Sequence, residues 1–124
     1  MHWSVIGASL LSVAVLVGAF GAHALRERLD DYARGIYERA VFYHFVHSLG
    51  LIALGIAATC GAAAGSAVTV AGWGLLVGLV VFCGSLYALA LSGNRALGAI
   101  TPLGGVAFIV GWIGFAVALG SRPA

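Results

Sequence analysis

The sequence predicts an all-α membrane protein of four transmembrane helices, with an amphipathic interfacial segment between helices 1 and 2. Its 124 residues are 62% hydrophobic and only 8% charged, with a mean hydropathy of +1.09, far from the usage of a soluble domain. Apolar residues form four stretches, each close to the ~20 residues that an α-helix needs to cross hydrocarbon. Every charged residue lies outside these stretches. We therefore expect a single domain over residues 1–124, with spans at about 3–23, 41–60, 68–91 and 102–119.

The first apolar stretch, residues 3–23, has the position of a signal peptide. However, no basic region precedes it, it is longer than the usual apolar part of a signal peptide, and no small-x-small cleavage site followed by a soluble domain comes after it. We expect this stretch to be retained as the first transmembrane helix.

Residues 25–40 have apolar positions at three- and four-residue steps, with charged residues largely between them. This pattern predicts an amphipathic helix that lies on the membrane surface or leads into the second span. We interpret its charged side as a solvated face that anchors the topology, and a partner-binding or lipid-sensing face is the alternative. The interfacial residues singled out are Arg26, Arg28, Arg34, Glu38 and Arg39.

The distribution of arginine predicts the orientation, because short loops rich in Lys or Arg stay in the cytoplasm. The first connection carries four arginines and the third carries Arg95, whereas residues 61–67 of the second have no charge. With four spans, both termini then lie outside the cytoplasm, and only Arg122 opposes this orientation. The expected location is a bacterial inner (plasma) membrane.

Polar side chains from all four spans are predicted to share one layer near the cytoplasmic side. With a rise of ~1.5 Å per residue, the second helix places two histidines one to two turns into the inner leaflet. Buried polar groups in a membrane normally face the bundle interior, where they serve a site or act as hydrogen-bonding glue between helices. The candidate polar-layer or ligand-binding residues are His23, His44, His47, Tyr87 and Thr101.

A metal site could be drawn from the three histidines of this layer, but acidic or cysteine ligands to complete it are missing, apart from Glu38 at its edge. Haem ligation by facing histidines is no better supported. We therefore predict no metal, no cofactor and no catalytic residues. Nucleic-acid binding is also not expected, because a net charge of +2 is too small for a dense basic face.

Nineteen glycines suit closely packed membrane helices, because small residues four apart let two backbones approach. The predicted helix-packing positions are Gly18, Gly74, Gly78, Gly111 and Gly114. The same surfaces could serve contact with a second copy of the chain or with another membrane protein, and the lipid bilayer is the remaining expected partner.

The start of the fourth span has a separate pattern, in which Thr101 suits the N-cap and Pro102 the first helical position. Gly104 and Gly105 leave the first turn without side chains, so the helix N-terminus could accept a lipid phosphate or another anion. Simple packing of the two glycines against a neighbouring helix is the favoured interpretation.

Several segments of the chain resemble one known family. They are Gly18-Ala-Phe-Gly-Ala-His23, Ala40-Val-Phe-Tyr43 with His47-Ser-Leu, Phe82-Cys-Gly-Ser-Leu-Tyr87, Ile100-Thr-Pro-Leu-Gly-Gly105 and Gly111-Trp112. In this order they look like the YgdD-like family of small bacterial inner-membrane proteins of unassigned function, which has relatives among small eukaryotic transmembrane proteins. The resemblance implies a four-helix membrane domain without a known activity. It also implies Gln at the position of His44, which weakens a three-histidine metal site.

Three function classes remain open from the sequence. An accessory or structural membrane protein is favoured, because glycine packing is tight and no charged residue lies within a span. A small proton-linked transporter is the second, although the first span has no acidic residue and only His23 at its end. The third is a membrane enzyme or redox protein that binds quinone, glutathione or lipid at the polar layer. The balance is against an enzyme.

Overall fold

The computed structural model describes residues 1–121 of the chain, and Arg122 lies outside them. Its helices are α1 (Trp3–His23), α2 (Asp31–Thr59), α3 (Ser66–Gly78), α4 (Gly84–Ser92) and α5 (Thr101–Gly120). A π-helical turn, Leu79–Cys83, joins α3 to α4, and a 3₁₀ helix, Arg95–Ala99, precedes α5. Four helical segments are long and apolar enough to cross a membrane: Trp3–His23, Asp31–Thr59, Ser66–Ser92 and Arg95–Gly120. The all-helical, four-span fold class is therefore confirmed.

The segment between the first two spans differs in detail from the sequence prediction. Asp30 caps α2 by accepting a hydrogen bond from the Ala33 backbone N–H at 2.8 Å, so the helix begins at Asp31 and not at Leu25. Residues 24–30 form turns instead of helix. Of the two predicted arrangements, the structure has the one in which the segment leads into the second span, from Asp31 onward.

The connections after α2 and after α4 both contain glycines with positive φ. The turn after α2 contains Gly61 and Gly65 at φ of +74° and +81°, a backbone region that L side chains rarely adopt. Gly93 ends α4 with φ of +72° in the left-handed conformation. Its neighbour Asn94 then caps the 3₁₀ helix by accepting from the Ala96 N–H at 3.2 Å.

The fourth span begins differently from the prediction. Ile100 is the N-cap of α5 and makes no side-chain capping bond, so Thr101 is a helical residue and not the cap. Pro102 does lie in the first turn, where a missing N–H costs nothing. The hydroxyl of Thr101 is instead bonded to Ser85 of α4, as described below.

The helices form two close pairs, and the pairs meet where α2 contacts the third span. α1 lies antiparallel to α2, and α5 lies against α3, while α2 also contacts α3 and α4. One buried apolar cluster, which includes Trp3, Leu54 and Phe115, fills the middle of the bundle and the end at which α1 begins. A second, which includes Ile36 and Leu86, lies at the end where residues 25–40 and α4 meet.

The predicted packing glycines differ in how closely they meet their neighbours. A Cβ at Gly74 would lie 2.7 Å from Cα of Gly111, and one at Gly114 would lie 3.0 Å from the Ala71 backbone nitrogen. A Cβ at Gly78 would overlap the ring of Phe108. The α3–α5 contact is therefore one in which the backbones themselves approach.

Gly18 is looser than these four positions. A Cβ there would meet Val41 at 3.4 Å, which is ordinary contact. Two glycines that the sequence prediction did not single out, Gly7 and Gly55, make the close approach of α1 to α2 instead: a Cβ at Gly7 would lie 2.7 Å from the Ser48 carbonyl oxygen.

Candidate functional site

The centre of the bundle holds a hydrogen bond between two polar side chains of different spans. Nδ1 of His44 in α2 lies 2.9 Å from the hydroxyl of Tyr87 in α4. His44 is buried. The pair therefore links α2 to α4.

A second tyrosine extends this arrangement toward the end of the bundle where α1 ends and α2 begins. The ring of Tyr37 makes an edge contact with that of Tyr87, with centroids 5.4 Å apart. Its hydroxyl donates to the backbone carbonyl of Val17 in α1 at 2.5 Å. These contacts of Tyr37, Tyr87 and His44 link α1, α2 and α4. Tyr37 was not among the predicted site residues, although its place in the apolar pattern of residues 25–40 was a signal that it would be buried.

His47 is held in place both by aromatic stacking and by a hydrogen bond. Its ring stacks on Phe108 of α5, with centroids 3.5 Å apart and planes 17° from parallel. Its Nδ1–H donates to the Tyr43 carbonyl one helical turn earlier, at 2.7 Å. Trp112 lies beside it, with a centroid distance of 5.7 Å. His47 is therefore one of the residues through which α2 contacts α5.

A pair of hydroxyls joins α4 to the start of α5. Ser85 donates to the Phe82 carbonyl at 3.0 Å, and Thr101 Oγ1 lies 2.6 Å from Ser85 Oγ. Phe82 belongs to the π-helical turn, where the regular ladder of backbone hydrogen bonds is interrupted. In a membrane such freed backbone groups need a partner, and Ser85 supplies one. Gly104 lies directly under the Phe82 backbone, so this part of α5 has no room for a side chain.

The π-helical turn and Ser85 were both missed from the sequence. The signal for the Ser85–Thr101 contact was the run Gly-Ser-Leu-Tyr followed by Thr-Pro-Leu-Gly-Gly, which pairs a hydroxyl in one span with a hydroxyl and two glycines in the next. The structure favours the packing interpretation of Gly104, because Phe82 lies against it.

The five predicted polar-layer residues do not form one network in the structure. His44 and Tyr87 are bonded, Thr101 is bonded to Ser85, and His47 bonds within its own helix. His23 is exposed at the end of α1 and has no side-chain hydrogen bond among residues 1–121.

The stagger of α1 against α2 separates His23 from the two histidines of α2. Gly21 of α1 packs on Tyr37 of α2, and Gly55 packs on Ser4, so His23 lies level with about residue 35. His44 and His47 are then roughly 14 and 18 Å further along α2, at 1.5 Å per residue. They lie near the middle of α2, which begins well before the apolar stretch, and their depth in the membrane stays a prediction.

The charged end of α1 and α2 encloses a cavity of 430 Å³. Arg34 is half-buried beside it, whereas the other four predicted interfacial residues, Arg26, Arg28, Glu38 and Arg39, are exposed. This cavity is not lined by His44, His47 or Tyr87, and neither are two other cavities, of 370 and 380 Å³. Within residues 1–121 no three His, Cys, Asp or Glu side chains are grouped as metal ligands would be.

Comparison with known proteins identifies relatives along almost the whole chain. The family model described as a protein of unknown function, DUF423, matches residues 17–105. A UPF0382 membrane protein of Staphylococcus epidermidis is 46% identical over 114 residues, which cover 92% of this chain and 91% of that protein. The UPF0382 membrane protein YwdK of Bacillus subtilis is also 46% identical over 114 residues, 92% of each chain. A UPF0382 membrane protein of Staphylococcus aureus is 40% identical over 109 residues, 88% of this chain and 87% of its own. No solved structure matches the chain.

Proposed function

The chain belongs to the DUF423 family of membrane proteins, and from this premise we propose that it is an accessory or structural protein that binds a second copy of itself or another membrane protein. The observation that carries the proposal is the state of the central polar side chains. They are bonded to one another or stacked on aromatic rings, as in the His44–Tyr87 bond and the His47–Phe108 stack. Side chains used in this way position helices and leave little free for a substrate.

The outward surface of α1 supports a partner-binding role. Only three of its 21 residues are buried, Trp3, Gly7 and Ala14, so the helix packs on α2 along a narrow face. Large apolar side chains such as Leu16 and Phe20 point outward, 69% and 55% exposed. Such a surface suits contact with lipid or with another apolar helix.

We place the protein in the bacterial inner, or plasma, membrane, with both termini outside the cytoplasm. The arginine-bearing turns at residues 24–30 and the 3₁₀ helix that contains Arg95 lie at the same end of the bundle, where Arg95 stacks over Tyr32 at 4.5 Å. One end thus carries the positive charges that favour the cytoplasm. We also propose that the YgdD-like proteins are members of the same family.

The proposed role is tested by extracting the protein gently from native membranes and measuring its intact mass under non-denaturing conditions. We expect a multiple of the 12.6 kDa chain, or the chain joined to another membrane protein. The matched variant is His47→Phe, which keeps an aromatic ring on Phe108 and should keep the assembly. A single chain without a protein partner, both in the extract and after cross-linking in intact membranes, would contradict the proposal.

A ligand-binding or proton-linked transport role is the alternative, and the His44–Tyr87 bond between α2 and α4 is the observation that favours it. A membrane-embedded titratable pair of this kind can hold a proton or a small ligand. In the same mass measurement, this alternative predicts a small-molecule adduct that disappears in Tyr87→Phe while the protein stays folded.

A further inference from the structure

The 430 Å³ cavity lies between the end of α1, the turns that follow it and the first part of α2. Its floor is apolar and includes Gly18, Gly21 and Val41, whereas its rim includes Arg26, Arg34 and Glu38. The two glycines let α1 lie close to α2 beneath the cavity: a Cβ at Gly18 would contact Val41 at 3.4 Å, and one at Gly21 would overlap the ring of Tyr37. The cavity is thus apolar toward the bilayer and charged toward the water.

Arg34 is held in this cavity with part of its binding capacity unused. One terminal nitrogen donates to the carbonyls of Arg26 and Leu29, at 2.5 and 3.4 Å, and the other lies 3.6 Å from a carboxylate oxygen of Asp31. Its Nε–H is buried and has no hydrogen-bond partner within the described part of the chain. A guanidinium has five N–H donors in a planar fork that suits phosphate oxygens, and an unpaired buried donor is costly.

The charges at the rim define the kind of ligand that would complement them. Two arginines and one glutamate line the cavity, which leaves one positive charge in excess. The site lies at the end of α1, at the level where lipid headgroups meet the apolar chains. A ligand that fits must therefore combine one net negative charge with a long apolar part.

We propose that this cavity binds one phospholipid that carries a net negative charge. Its phosphate oxygens accept hydrogen bonds from the terminal nitrogens of Arg34, whose side chain is partly exposed, and from Arg26, and one acyl chain lies on the floor formed by Gly18, Gly21 and Val41. This site is separate from the central polar side chains and is independent of the partner-binding role proposed above.

The test uses the full-length protein in detergent, titrated with phosphatidylglycerol and, separately, with phosphatidylcholine, with bound lipid counted by native mass spectrometry. Arg34→Ala should weaken phosphatidylglycerol binding about tenfold, because it removes a charge-assisted hydrogen bond. The matched control is Arg28→Ala, which removes the same charge from the turns just before α2 but does not line the cavity. We expect a change below about twofold in this control.

Gly18→Leu is the second variant, because it leaves every charge in place and fills the apolar floor. It should also weaken binding about tenfold, the effect of losing roughly 1.4 kcal/mol of interaction. It keeps the proposal testable if Arg34→Ala loosens the turns at residues 24–30.

Three results would overturn the proposal. Equal losses in Arg28→Ala and Arg34→Ala would mean that lipid is attracted by surface charge alone. Displacement of the lipid by inorganic phosphate at millimolar concentration would mean a site for a free anion. Unchanged phosphatidylglycerol binding in Gly18→Leu would show that no acyl chain lies on the floor of the cavity. The assignment to a phospholipid would then be wrong.

Discussion

The α3–α5 contact makes a quantitative prediction about Gly111. A Cβ at this position would lie 2.8 Å from the backbone nitrogen of Leu75 and 3.0 Å from the carbonyl carbon of Gly74, where ordinary contact begins at 3.4 Å. Because the atoms it meets are mostly backbone, no side chain can move aside, and the helices must separate by about 0.6 Å. A gap of this size forfeits roughly a quarter to a half of each van der Waals contact along the crossing. We expect Gly111→Ala to lower the free energy of unfolding by about 1–3 kcal/mol.

The matched control for this prediction is Gly84→Ala, since a Cβ at Gly84 meets no atom within 4 Å. It should leave stability unchanged or raise it by up to about 1 kcal/mol, because Ala has the better helix propensity. The assay is equilibrium unfolding in mixed micelles with increasing dodecyl sulfate, followed by tryptophan fluorescence, to which Trp112 beside Gly111 contributes. Equal unfolding midpoints for Gly111→Ala and Gly84→Ala would refute the argument that backbone contact holds α5 on α3.

The remaining predictions concern the central side chains and the orientation. Tyr87→Phe combined with His44→Phe in a double-mutant cycle should give a coupling energy of about 0.6 kcal/mol, measured in the same unfolding assay, and zero coupling would mean that the bond contributes nothing. His47→Ala should cost roughly 2–4 kcal/mol of stability through the cavity left beside Phe108, whereas His47→Phe should cost less than about 1.5 kcal/mol, and similar losses in both would show that the stack is unimportant. Cys60 is exposed at the end of α2, so a membrane-impermeant maleimide should label it from outside intact cells, and labelling only after the membrane is opened would reverse the orientation.

The four spans could be predicted from the sequence because crossing hydrocarbon is a condition on one helix at a time. Length, apolarity and the exclusion of charge act along the chain and need no knowledge of neighbours. The predicted first span, residues 3–23, coincides with α1. The predicted second span, residues 41–60, agrees less well with α2, because a polar helical segment can precede the membrane without a break. The capping bond of Asp30 sets the start of α2 at Asp31.

The sequence also identified four close glycines of the α3–α5 contact and the residue types of the polar layer, since their spacing and chemistry are local properties. What only the tertiary structure decided is which of them meet. Ser85 bonds Thr101 because a π-helical turn shifts the face of α4, and a single extra backbone residue in a turn leaves no clear mark in the sequence. His44 reaches Tyr87, while His23 stays apart, because the stagger of α1 against α2 sets their depths. Helix stagger is a property of two packed surfaces together, which neither helix specifies alone.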